Sequence, residues 1–345
     1  MTLLRMVAIV LAGGVPAALT ACSGSGAPAV AAVSTTRTVR SASSEVQSLG
    51  SYNVDWNNVV VAGVSSGADM ATELSYSHSS KIKGAATFAG SPYFCAQDNA
   101  YDALYLCAGT EYGKVPDGTL ESDTNNASCT YMDCVSYLKG RLAWIFSGTK
   151  DTVVAQSVAK SAQTMDSYYG ISSSTNYSTA AEHGWVTPDT SNSCGALNDQ
   201  YLINCSFDAE QSLLTYFFGA LSARNNGTLS GSLIQFDQYP YDAYSMDTTG
   251  WIFVPANCAG GSKCKLVVAL HGCLQAQYYV GTAFVTESGL NEWADTNSII
   301  VLYPQAYPSN VNPDGCWDWW GFDGSNYAVS GGAEVSAIWS MMQQI

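Results

Sequence analysis

Basic side chains are scarce in this chain of 345 residues: 13 Lys and Arg stand against 28 Asp and Glu, a formal net charge of −15. Such a surface repels phosphate backbones and anionic lipid headgroups, so no nucleic acid or polybasic membrane partner is expected and a neutral substrate is. Histidine is scarcer, with three in all, and no Cys-x-x-Cys occurs. A zinc site would lack both halves of its usual ligand set, and neither metal nor cofactor is expected. Long charge runs and internal repeats are missing too.

What is present is apolar and oxidisable. Hydrophobic residues make up 47% and charged residues 12%, enough for one large α/β domain or two small ones. The 21 Tyr and 9 Trp either fill a core or serve an apolar or carbohydrate-like surface. Eleven cysteines point to an oxidising compartment. The first 22 residues agree: one cation (Arg5), an apolar stretch too short and too broken to span a membrane, and small residues before Cys22. That pattern reads as a signal peptide, hence a secreted protein. Leu19-Thr20-Ala21-Cys22 also resembles a bacterial lipobox, whose Cys would carry a lipid anchor at the cell surface; ordinary cleavage nearby is the alternative. Ten cysteines then remain. Short loops favour Cys95–Cys107, Cys129–Cys134, Cys194–Cys205 and Cys258–Cys264, which leaves Cys273–Cys316 over a longer span. Residues 23–50 are small and polar and read as a flexible linker. Residues 51–345 are left as a single catalytic domain, expected to be a monomer.

Within it, β-branched runs alternate with helical stretches. Asn58–Ala62, Ile82–Phe88 and Leu142–Phe146 read as strands, as do the later runs SLIQF, GWIFVP, KLVVALHG and SIIVLYPQ; Ala333–Gln344 reads as a closing helix. Continuous apolar strands separated by helices imply a mostly parallel sheet covered on both faces, with the earlier strands of the late group free to pair antiparallel. Gly63-Val64-Ser65-Ser66-Gly67 fits G-x-S-x-G where a Val-rich strand meets a helix, the context of a nucleophile elbow and of an α/β-hydrolase fold. An ordinary strand-to-helix turn is the plainer alternative for such a Gly- and Ser-rich chain.

A serine needs a base, and His78, His183 and His271 are the candidates. His78 falls near the far end of the elbow helix, on the expected surface, and His271 ends a strand in a His-Gly loop. Only His183 leaves room for an acid between itself and Ser65, the usual Ser–acid–His order. Asp151 follows a strand end and fits that role; Asp133, Asp166 and Glu182 lack the strand context. The tetrahedral intermediate needs two backbone donors. One is the N–H of Ser66. The other normally comes from a His-Gly loop upstream of the elbow, yet here that loop is His271-Gly272-Cys273, far downstream. Circular permutation restores the usual order and makes the Cys273 N–H the second donor.

The elbow VAGVSSGADMA, AGSPYFCA, SGTKDTVV, ARNNGTLSG, LHGCLQ, NEWADTNSIIVLYPQA and NPDGCWDWWG together resemble the circularly permuted, single-domain extracellular poly(3-hydroxybutyrate) (PHB) depolymerases over residues 50–345. The resemblance implies metal-free ester hydrolysis of short-chain polyhydroxyalkanoates at a polymer surface. It maps Ser65, Asp151 and His183 onto the triad and Ser66 and Cys273 onto the oxyanion donors. It also maps Trp317 onto a tryptophan lining the substrate crevice. Ala68-Asp69, where that family tends to have Gly-Tyr, is a departure, and Cys129–Cys134 is an extra pair. The composition also permits an esterase for feruloyl or acetyl groups on polysaccharide, or a surface protein that only binds polymer.

Overall fold

The structure, a computed structural model, describes residues 46–109, 114–241 and 244–345. The signal peptide, the lipobox with Cys22 and residues 23–45 of the expected linker lie outside the described residues. The linker does not run to residue 50. Gln47 bridges Phe236, its carbonyl accepting from the Asp237 N–H at 2.8 Å, and Leu49 is buried, so packing begins before residue 51.

Strand β1 (Val54–Val64) is the hub. Its Val-rich end alternates side chains between two faces, and both faces are dry. Val60, Ala62 and Val64 enter one apolar cluster, while Val59 and Val61 enter the other. That is why the run is continuous rather than alternating in sequence. Helix α1 (Ser66–Ser77) follows at once. Then come β2 (Gly84–Phe88), β3 (Leu142–Phe146), α2 (Gln156–Tyr168) and β4 (Ser172–Asn176). A two-stranded pair, β5 (Trp185–Val186) and β6 (Leu202–Ile203), and helix α3 (Ala209–Phe218) precede the later strands. These are β7 (Ser232–Asp237), β8 (Thr249–Val254), β9 (Cys264–Leu270) and β10 (Ile299–Tyr303), with α4 (Leu290–Asn297) before β10 and α5 (Ala333–Gln344) at the end.

The eight-stranded sheet has the order β4-β3-β2-β1-β9-β10-β8-β7. From β4 to β10 every pairing is parallel; β8 and β7 are added antiparallel. The expected mostly parallel sheet is observed, with the antiparallel pair among the late strands. Strand β9 lies beside β1, register Val60 to Val267 and Gly63 to Leu270. A segment two hundred residues downstream thus ends next to the elbow.

Five disulfides join the described loops: Cys95–Cys107, Cys129–Cys134, Cys194–Cys205, Cys258–Cys264 and Cys273–Cys316. No helix among the described residues is long and apolar enough to cross a membrane.

Candidate active site

Ser65 sits between β1 and α1 with φ 56° and ψ −126°, a backbone conformation costly for a side-chain-bearing residue. The surroundings enforce it. A Cβ on Gly63 would come within 2.0 Å of the Gly67 carbonyl, and one on Gly67 within 2.3 Å of the carbonyls of Leu270 and His271. Only glycine fits at either place, so the G-x-S-x-G spacing here is a packing requirement. The Ser65 N–H donates to the Phe88 carbonyl at 2.9 Å, tying the turn to the end of β2.

Asp151 lies beyond β3 and His183 in the loop between β4 and β5. The His183 Nδ1 is 2.9 Å from Asp151 Oδ2, both side chains nearly fully buried. The other carboxylate oxygen accepts from the N–H groups of Val153 (2.9 Å) and Val154 (2.8 Å), which fixes its direction. Burial pushes the Asp151 carboxyl up, but His183 and these N–H donors outweigh it and hold it below the usual range. Burial likewise pulls the His183 imidazole down, yet Asp151, with Glu182 and Asp69 behind it, leaves it above its ordinary value. An Asp oriented on Nδ1 leaves Nε2 as the nitrogen able to take a proton.

The other acids have other duties. Glu182 Oε1 accepts from the N–H groups of Thr152 (2.7 Å) and His183 (2.9 Å), bracing the acid loop against the histidine loop. Asp166 accepts from the Tyr76 hydroxyl, and Asp133 from the Ser80 N–H. His78 is not at the surface: it is half-buried and stacked flat on Trp339, with burial lowering its pKa to about 4. The stack forms because the end of α1 packs against α5.

His271 is fully buried, and burial lowers its pKa to about 4. Its Nε2 accepts from the Ala306 N–H at 3.1 Å, leaving Nδ1 to donate to the Gly272 carbonyl at 2.8 Å. It shapes the turn that follows it. That turn abuts the elbow, since a Cβ on Gly272 would meet the Ser65 Cβ at 3.3 Å. Among the described residues neither the Ser66 nor the Cys273 N–H donates to a protein acceptor, so two adjacent backbone donors are left for an oxyanion. The Cys273–Cys316 bridge fastens this turn to the 312–323 segment, where Asn312 holds both the N–H and the carbonyl of Cys316.

Trp317 departs from expectation. It has no exposed surface, its indole N–H donates to the His271 carbonyl at 3.0 Å, and its backbone N–H donates to Ser66 Oγ at 3.3 Å. With no exposed surface it does not line a crevice; its bonds hold the His271 turn and Ser66 together. Two side chains went unread in the sequence. Gln275 accepts the Gly272 N–H (2.8 Å) and donates to the carbonyls of Gln200 (2.8 Å) and Tyr201 (3.2 Å). Tyr201 in turn meets the His183 ring edge-on at 6.2 Å. Gln275 therefore couples the anion loop to the histidine loop, and its position inside LHGCLQ was the available signal.

No protein-family model matches the chain. A poly(3-hydroxybutyrate) depolymerase of Delftia acidovorans is 38% identical over 305 residues, covering 86% of this chain and 61% of that longer protein. A polyhydroxybutyrate depolymerase of Talaromyces funiculosus is 37% identical over 318 residues, covering 86% of this chain and 92% of its own length. Two solved structures superpose with a TM-score of 0.80 at 36% identity, covering 87% of this chain and 98% of theirs. They are a PHB depolymerase from Penicillium funiculosum and a PHB depolymerase variant complexed with an R3HB trimer. With near-complete relatives at this identity and a shared α/β-hydrolase-like sheet, the chain belongs to the PHB depolymerase family of carboxylic ester hydrolases.

Proposed function

We propose that this chain is a secreted serine esterase that hydrolyses poly(3-hydroxybutyrate) and related short-chain polyhydroxyalkanoate esters. The observation that carries the mechanism is a strained Ser65 flanked by two unpaired backbone donors, with the His183–Asp151 pair in the neighbouring loops. Ser65 Oγ attacks the ester carbonyl while His183 Nε2 takes its proton, and Asp151 stabilises the resulting imidazolium. The Ser66 and Cys273 N–H groups receive the oxyanion. His183 then protonates the departing hydroxyl; water, deprotonated by the same imidazole, attacks the acyl-enzyme, and the imidazolium returns that proton to Ser65 Oγ as the acid leaves.

Polymer as substrate is supported by the family and by the R3HB trimer bound to the solved relative. The exposed Tyr278, Tyr307 and Val311 flank the segments that carry Cys273 and Cys316 and offer an apolar rim to a neutral polymer. Export is supported by five disulfides. A circular permutation is supported by the Tyr52 N–H at the entry to β1, which donates to the Ile345 carbonyl after α5, the proximity such a rearrangement needs.

Turnover of soluble R3HB oligomers, feruloyl esters and acetylated sugars by purified protein tests the substrate class. The expected order has R3HB oligomers ahead of both others in kcat/KM. Preference for feruloyl or acetyl esters would overturn the substrate and leave the triad standing.

A further inference from the structure

Behind the nucleophile lies a group of acids that ester hydrolysis does not use. Asp69 and Glu73 stand one turn apart on α1, Asp318 follows Trp317, and Glu334 lies in the first turn of α5. They are 8%, 3%, 3% and 2% exposed. Asp318 accepts from the N–H groups of Gly321, Phe322 and Asp323, and its own N–H donates to Glu334 at 2.6 Å. Glu73 Oε2 and Glu334 Oε1 have no hydrogen-bond partner. Neither has the hydroxyl of Tyr327, a residue 3% exposed that lies in the field of Glu73, Asp318 and Asp69. The remaining titratable neighbours are Tyr93 beside Glu73, Asp323 beside Glu334, and His183 beside Asp69. Among the described residues no Lys or Arg acts on any of the four acids.

Carboxylates packed together without a cation cannot all stay ionised in so dry a space. Protonation removes their repulsion without a counter-ion. Burial pushes Asp318 up to about 6, Glu334 to about 8, and Glu73 well above the carboxylate range.

We infer that Glu73, Asp318 and Glu334 take up protons as a brace behind the nucleophile, holding the Trp317–Asp323 segment in acid and loosening it as the pH rises. The segment matters because Trp317 contacts both Ser66 and the His271 carbonyl; this consequence for catalysis rests on the proposed site. Each brace acid is raised above its unfolded value, so folding takes up protons. The electrostatic penalty is absent below the unfolded pKa values of 3.8 and 4.5, grows as the pH rises toward the folded ones, and is complete above them.

Glu73→Gln and Glu334→Gln, singly and together, mimic the protonated acids at nearly constant shape. Thermal unfolding of the full chain between pH 5 and pH 8.5 is the primary readout. The parent's midpoint is expected to fall by about 5 °C or more beyond any fall in the double variant. Turnover of a soluble ester at pH 8.5, relative to each protein's own value at pH 6, should be higher in the variants. Parallel unfolding profiles in parent and variants overturn the brace. The unfolding readout does not depend on substrate, so failure of the esterase reading would show as absent turnover with the unfolding difference intact.

Discussion

At the scale of single residues, the proposed mechanism makes the Asp151–His183 pair set the pH behaviour. The His183 imidazole must be neutral to accept the Ser65 proton, and its pKa is raised. The acid limb of kcat/KM should therefore lie above the ordinary histidine value of 6.5, activity being lost as the pH falls through it. Asp151→Asn removes the raising charge and should move that limb to lower pH while cutting kcat by about 10⁴-fold. A limb unmoved by the substitution would mean another group titrates. Trp317→Phe keeps an aromatic ring in place but deletes the donor to the His271 carbonyl. It should cost about 1–3 kcal/mol of stability and lower kcat with KM little changed; a rise in KM alone would restore the crevice role that its burial argues against. Ser65, Asp151 and His183 could be nominated from the sequence because the proposed chemistry constrains residue type and chain order. The bracing roles of Gln275 and Glu182 could not, because each works through backbone partners that only the folded loops bring within 3 Å.

At the scale of elements, buried strands announced themselves and the edge did not. Val59–Val64 and Leu266–Leu270 are apolar on both faces since helices cover both, and Leu142–Phe146 was delimited to the residue. Strand β4 reads SSSTN, with nothing apolar to mark it. It lies at one end of the sheet, pairs only with β3, and is held by the ladder rather than by burial. The anion loop is a different case, a turn whose position depends on a covalent tie. Cys273–Cys316 closes a 43-residue separation, and the chain-entropy model gives such a loop about 4 kcal/mol. Replacing both cysteines by serine should lower the unfolding free energy by about that amount and reduce kcat more than removing Cys129–Cys134, which closes only 5 residues and does not include the turn. Equal effects on kcat would mean the bridge does not position the Cys273 N–H.

At the scale of the whole molecule, a net charge of −15 and an uncharged polymer suggest that encounter is governed by apolar contact. Depolymerisation should then vary little between low and high salt, unlike a charge-steered reaction, and a steep fall with ionic strength would contradict it. The fold brings β1 and β9 side by side at the centre of the sheet, so the proposed nucleophile and the His271–Cys273 turn meet although about two hundred residues separate them. The sequence carried this as a displaced His-Gly loop; only the sheet order gave it a place. The most direct test of the account compares the purified chain with Ser65→Ala on a suspension of amorphous poly(3-hydroxybutyrate), following turbidity and released 3-hydroxybutyrate units. The strained serine predicts clearing by the parent and a loss of about 10⁶-fold in the variant, with its unfolding midpoint unchanged. Clearing by Ser65→Ala at the parent's rate would contradict it.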